Sequence, residues 1–257
     1  MRSIILKELA NLEKEHQVKI LYACESGSRA WGFPSQDSDY DVRFIYLHPK
    51  EWYLSIEVER KRDVIELPIS DALDISGWDL RKALQLFKKT NPPLLEWLGS
   101  PIIYSEPYTV AQKMRDISPQ IYNPIACSYH YLRMAQNNYR EYMKGELVKH
   151  KKYFYILRPL LAINWLERGL GVVPTEFQTL VDEIITSPSL KKEINQLIER
   201  KRQGQEVDVG PKIPEISDYI EQEVTRFENA RFDADLTKQP VDILDELFRE
   251  ALAEVWN

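Results

Sequence analysis

Gly27-Ser28, followed after ten intervening residues by Asp39-Tyr40-Asp41, forms a stretch whose residue types and spacing suit phosphate chemistry. Transferring a crowded, doubly ionised phosphoryl centre is mostly a matter of positioning and of charge neutralisation by divalent cations roughly 4 Å apart. Two carboxylates on one strand face offer the hard oxygen ligands that Mg²⁺ or Mn²⁺ takes, alongside water and substrate phosphate. Glycine lets the backbone approach a phosphate, Ser28 adds a hydroxyl and an amide, and Arg29 a forked donor. The plainer alternative is a serine-rich turn followed by an acidic strand end, where aspartates merely cap.

The surrounding elements decide between the two. Val18 to Cys24 reads as a short apolar strand ending at the glycine-serine turn, residues 30 to 38 as loop, and Asp39 to Tyr46 as an alternating second strand. Period two puts Tyr40, Val42, Phe44 and Tyr46 on one face and Asp39, Asp41 and Arg43 on the other. A strand-turn-loop-strand frame therefore presents the serine and both aspartates together. Before it, Met1 to Gln17 reads as an amphipathic helix capped by Ser3, burying Ile5, Leu9 and Leu12. After it, Arg62 to Ile69 reads as a third strand and Ala72 to Ser76 as a fourth, joined through Ser70 and Asp71, with Gly77 ending the pairing. A helix follows from Trp78 and closes at Asn91-Pro92-Pro93.

Downstream the periodicity is helical, over roughly 124–143, 149–168, 175–186, 189–202, 214–230 and 240–256. Thr175 with Gln178 fits a capping box, Pro159 predicts a kink or restart, and 204–214 reads as a linker. The expected fold is α+β: a small mixed β-sheet with flanking helices over residues 1–105, then an all-helical C-terminal domain over 106–257.

Composition narrows the function classes. A chain of 257 residues, 44% hydrophobic, can bury a core, and its net charge of −6 argues against broad non-specific nucleic-acid binding. Cys24 and Cys127 are too few for a disulfide framework or a cysteine zinc site, and the four histidines show no ligand spacing. HExxH, GxSxG and Walker motifs are absent. No apolar run reaches the ~20 residues that span a bilayer, so the expectation is a soluble, cytoplasmic protein without membrane partners.

The motif resembles the signature of DNA polymerase β superfamily nucleotidyltransferases. More closely, Gly27-Ser28-Arg29-Ala30-Trp31-Gly32-Phe33, Asp39-Tyr40-Asp41-Val42-Arg43, Gly77-Trp78-Asp79-Leu80-Arg81-Lys82, Asn91-Pro92, Glu96-Trp97-Leu98 and Ser100-Pro101 resemble the predicted bacterial nucleotidyltransferases of the YcgL and RlaP type. The likeness covers much of 20–105 and continues loosely in His150 to Pro159. It implies transfer of a nucleoside monophosphate from a nucleoside triphosphate to an acceptor hydroxyl, an RNA end being the favoured acceptor, with Mg²⁺ or Mn²⁺ as cofactor and release of pyrophosphate.

The resemblance also implies a third carboxylate on a later strand, between hydrophobic neighbours, helping to activate the acceptor as general base. Asp74, between Leu73 and Ile75, fits best and joins Asp39 and Asp41 as catalytic and metal residues; Glu66 and Asp79 are the alternatives. Gly27, Ser28 and Arg29 are expected to bind nucleotide. So are Lys151, Tyr155 and Arg158, which share a helical stripe suited to a triphosphate and a base, although a solvated basic face would look the same. A rival from another class is a non-catalytic, nucleotide-sensing or antitoxin-like module that keeps the fold without the reaction.

Overall fold

In a computed structural model the described residues are 1–69, 72–204, 209–228, 230, 232 and 241–257. Five strands form a mixed sheet: β1 (Lys19–Glu25), β2 (Tyr40–Leu47), β3 (Val64–Glu66), β4 (Leu73–Asp79) and β5 (Ile103–Ser105), in the order β3-β4-β2-β1-β5. β1 runs antiparallel to β2 and β5, β2 parallel to β4, and β3 antiparallel to β4. The architecture is α+β, as the patterning predicts. Val42, Phe44 and Tyr46 enter the core with Ile20, Ala23 and Ile75, and Ile5, Leu9 and Leu12 of the helix Arg2–His16 cover it. The alternation read from β2 is the alternation of burial as far as Phe44, with Asp41 and Arg43 on the opposite face; further along, Ile45 and Leu47 bury that face too.

Several local expectations change. The first helix has Met1 as its N-cap and no side-chain cap bond, so Ser3 lies inside it. β3 is shorter than Arg62 to Ile69: its three residues pair with Trp78, Gly77 and Ser76, with one further bond at each end, Asp79 N–H to the Asp63 carbonyl and Leu67 N–H to the Ile75 carbonyl, both at 3.0 Å. Gly77 continues β4 instead of ending it. A Cβ there would stand 2.3 Å from the Phe44 ring, so glycine serves to admit that ring into the sheet. Asn91 caps a new helix, Pro92–Leu98, accepting the Leu94 N–H at 3.2 Å, with proline at the first position where no amide is needed. Helix Val110–Ile121 and strand β5 carried no clear periodic signal. The turn assigned to Ser70 and Asp71 lies outside the described residues.

The chain groups into two compact units that are not contiguous in sequence, so the expected single boundary near 105 is neither edge of this grouping. The first holds Met1–Ala30, Asp39–Tyr122 and the C-terminal helix Val241–Trp256, and contains the sheet. The second holds Trp31–Ser38 and the chain from Asn123 through the helix Pro214–Glu228. Its other helices are Pro124–Tyr142, Lys152–Glu167, Phe177–Ile184 and Pro188–Arg202. The helix Lys152–Glu167 runs unbroken through Pro159, and Glu176, not Thr175, stands at the N-cap position of the next one, without a side-chain cap bond. Two short strands, β6 (Leu147–Val148) and β7 (Gly210–Pro211), pair antiparallel, so the expected linker contributes a strand; residues 205–208 of it lie outside the described residues. Loop 31–38 belongs to this unit because Phe33 stacks on Phe154 at 4.4 Å and meets Phe177 edge-on at 5.4 Å, while Arg202 donates to the Gly32 carbonyl at 2.8 Å.

Cys24 and Cys127 are both buried and free, and burial pushes the Cys24 thiol up to about 12. No helix among the described residues is long and apolar enough to cross a membrane.

Candidate functional site

β1 delivers the chain to Gly27, which starts the short helical turn Gly27–Ala30 with φ of 58°. Its missing side chain is a spatial requirement as well as a torsional one. A Cβ would lie 2.1 Å from Asp41 Oδ2, so the glycine backbone is packed directly against the Asp41 carboxylate. The Ser26 N–H donates to the Asp41 carbonyl at 2.8 Å, continuing the β1–β2 ladder by one bond. The turn and the acidic strand are therefore one construction, with the half-buried Ser28 and Arg29 beside it.

Asp41 and Asp74 are register partners on the parallel strands β2 and β4. Their side chains are 29% and 28% exposed, and the guanidinium of Arg43 spans them. Arg43 Nη2 donates to Asp74 Oδ2 at 2.8 Å and to Asp41 Oδ1 at 3.4 Å, while Nη1 reaches the carbonyls of Asp74 and Val42, each at 3.1 Å. Burial raises the Asp41 carboxyl above the usual range; Arg43 opposes this, while the charges of Asp74 and Asp39 add to it. Asp39 itself is exposed at the start of β2. Its carbonyl accepts from Arg29 Nε at 3.1 Å, and the Arg29 guanidinium lies 3.6 Å above the Tyr40 ring.

Among the described residues no group of three His, Cys, Asp or Glu side chains is close enough to hold a metal ion. The expected trio is thus not gathered into a ready cluster. Its donor chemistry nevertheless fits a hard cation: two registered carboxylates already share one positive group, Arg43, and Asp39 contributes to the field at Asp41. Asp41 and Asp74 are the residues that would hold such an ion.

The alternatives for the third carboxylate sit elsewhere on the sheet. Glu66 ends β3 and pairs with exposed Arg62 at 3.0 Å. Asp79 is buried and caps the helix Leu80–Lys88, accepting the Arg81 N–H at 2.9 Å and the Tyr53 hydroxyl at 2.6 Å. Burial raises its carboxyl to about 6, against the pull of those hydrogen bonds.

Glu25 escaped the sequence reading. Its carboxylate is wholly buried, accepting the Asp41 N–H at 2.7 Å and the hydroxyl of Tyr104 on β5. Burial raises this carboxyl, and the Tyr104 bond opposes the shift. A glutamate at the end of a strand looks solvated in sequence, and Tyr104 lies too far along the chain for any local pattern to join the two.

Lys151, Tyr155 and Arg158 all lie in the second unit, where they differ in exposure. Lys151 is exposed at the start of its helix and Tyr155 is 45% exposed, edge-on to Trp31 at 5.7 Å. Arg158 is 2% exposed, its guanidinium 5.0 Å from the Trp31 ring and donating to the Pro174 carbonyl at 3.2 Å. Instead of forming one solvated stripe, the three split into two surface groups and one buried support for Trp31.

Comparison with known proteins gives a family model, described as "RlaP: RNA repair pathway DNA polymerase beta family", that matches residues 1–250. The "Uncharacterized protein YcgL" of Bacillus subtilis (strain 168) is 51% identical over 260 residues, spanning 100% of this chain and 98% of that one. A nucleotidyltransferase-like protein from Exiguobacterium sibiricum 255-15 aligns over 96% of this chain and 88% of its own, at 11% identity and a TM-score of 0.31, too remote a likeness to bear on function.

Proposed function

Because the chain belongs to the RNA repair pathway DNA polymerase beta family, and so to the polymerase β-like nucleotidyltransferases, we propose that it transfers a nucleoside monophosphate from a nucleoside triphosphate to an RNA end. The acceptor hydroxyl oxygen forms a bond to the α-phosphorus, the bond to the β-phosphate oxygen breaks, and pyrophosphate leaves. The observation that carries this reading is the pairing of Asp41 with Asp74 across adjacent parallel strands, packed against the glycine of a glycine-serine turn.

Each residue then has a task. Gly27 lets the main chain approach the triphosphate, and Ser28 supplies a hydroxyl and an amide to its oxygens. Arg29, its guanidinium 3.6 Å from the centre of the Tyr40 ring, keeps its charge near the start of β2. Asp74 takes the proton of the acceptor hydroxyl as general base. Asp41 and Asp74, with Asp39 as the third candidate, would hold Mg²⁺ or Mn²⁺, which when bound would neutralise phosphate charge and favour ionisation of the acceptor. Arg43 balances the two inner carboxylates. Lys151 and Tyr155 of the second unit offer a charge and an aromatic face of the kind that suits a nucleotide, and Arg158 lies behind Trp31 in that unit. The RNA acceptor rests on the family's description alone, and fold by itself would not select it.

Incubation with each labelled nucleoside triphosphate, Mg²⁺ or Mn²⁺, and total RNA or protein tests the reading. Label is expected in RNA, dependent on metal and lost in Asp41→Ala. Label in protein instead would overturn the acceptor and keep the reaction. Nucleotide binding without transfer to any acceptor would favour the nucleotide-sensing alternative.

A further inference from the structure

We propose that Glu25 is a positioning residue that fixes Asp41 for cation binding by holding its main-chain amide. The inference rests on the metal-dependent reading above. In a continued antiparallel ladder Ser26 would exchange two bonds with Asp41, its N–H donating and its carbonyl accepting. The first bond forms, Ser26 N–H to Asp41 carbonyl at 2.8 Å. The second does not, because the chain turns at Gly27 and the Ser26 carbonyl accepts instead from the Ala30 N–H at 3.4 Å. The Asp41 N–H is left to the Glu25 carboxylate, at 2.7 Å, which takes the place of the missing strand acceptor.

Glu25 is itself held from three sides. Its N–H donates to the Ile102 carbonyl at 2.9 Å, its carbonyl accepts from the Ser100 hydroxyl at 2.6 Å, and its second carboxylate oxygen accepts from Tyr104. The hydrogen bonds to its carboxylate come from neutral donors, an amide and a phenol. Burying a carboxylate near other acidic groups is costly, and an apolar side chain would pack a strand end without that cost. An acceptor is what the position requires: with Glu25 on its amide, Ser26 on its carbonyl and Gly27 against its carboxylate, Asp41 is fixed on every side but the one facing Arg43 and Asp74.

The test titrates Mn²⁺ against the full-length protein, reading free Mn²⁺ by electron paramagnetic resonance, alongside thermal melts. Glu25→Ala is expected to weaken Mn²⁺ binding about 10- to 100-fold, the usual loss when a group that orients a ligand is removed. Glu25→Gln, which keeps an acceptor for the amide, is expected to bind close to the parent. Should Glu25→Ala fail to fold, Tyr104→Phe removes only the outer hydroxyl and is expected to weaken binding in the same direction. A merely structural role would lower the melting temperature of Glu25→Ala and leave Mn²⁺ affinity of the folded protein intact. Parent-like affinity in both Glu25→Ala and Tyr104→Phe, or a Glu25→Gln as weak as Glu25→Ala, would overturn the proposal. A parent protein that binds no Mn²⁺ would remove the metal reading and this inference with it, whereas parent binding that vanishes in Asp41→Ala keeps the two failures apart.

Discussion

At Asp41 burial and the charges of Asp74 and Asp39 together outweigh the attraction of Arg43, so its ionised form is held against a net electrostatic cost. A cation bound beside Asp41 would offset that cost. Asp41→Asn removes the charge, keeps the shape and leaves Arg43 its 2.8 Å bond to Asp74. The metal-free melting temperature at neutral pH should therefore match or exceed the parent's, while transfer falls by more than the roughly 100-fold that marks a group acting through a ligand. A clear drop in the metal-free melting temperature would identify Asp41 as a structural cap and end the metal assignment. The close approach of Gly27 to Asp41 is foreshadowed in the sequence, because a glycine, a turn and a period-two strand leave local signatures. The bond of Glu25 to the Asp41 amide and the bridge from Arg43 to Asp74 are not, since both depend on which strand lies beside which.

At the scale of elements, Asp79 shows how a carboxylate with a shifted titration can be structural. It joins the end of β4 to the helix Leu80–Lys88 through Arg81 and to Tyr53 through its hydroxyl. Its folded value of about 6 lies above the ordinary 3.8, so between those values the folded chain binds more protons than the unfolded one. Stability must then fall as pH rises from about 4 to 6 and level off above, by linkage. Asp79→Asn, which still caps, should flatten that slope. Asp79→Ala should lower stability by about 1–2 kcal/mol, through the lost cap and the Tyr53 hydroxyl left without its acceptor, with Mn²⁺ affinity unchanged. Loss of Mn²⁺ binding in Asp79→Asn would instead move the third carboxylate from Asp74 to this position. The elements themselves were read well where they repeat, as in β2 and the long helices. They were misread where one residue serves a distant partner: Gly77 looked like a terminator because Phe44, the ring it accommodates, lies on another strand.

Across the whole molecule, the sheet-bearing unit is closed by a segment more than a hundred residues beyond its last strand. The helix Val241–Trp256 buries Leu244, Leu247 and Ala251, and Phe248 meets Tyr53 edge-on at 4.9 Å. Glu254 accepts from the Thr109 N–H and hydroxyl at 2.8 and 2.7 Å, and Glu250 from Lys113 at 2.8 Å, tying the same helix to Val110–Ile121. Sequence periodicity placed the helices beyond residue 123 in order along the chain but had no means of assigning the last one to the first unit, since membership depends on partners. The consequence is measurable. Two buried leucines contribute about 1.5–3 kcal/mol each, a large share of the 5–15 kcal/mol that stabilises an ordinary domain, whereas the exposed ion pairs add little. Removing residues 241–257 should therefore lower the melting temperature by about 10 °C or more, at the 2–4 °C per kcal/mol typical of chains this long. The Tyr53 hydroxyl holds the Asp79 carboxyl down, and Tyr53, deprived of Phe248, loses one of the contacts that keep it there, so the pH slope that Asp79 gives should steepen in the same truncated protein. A truncated chain that melts with the parent would show that this helix is an appendage and that the sheet closes without it.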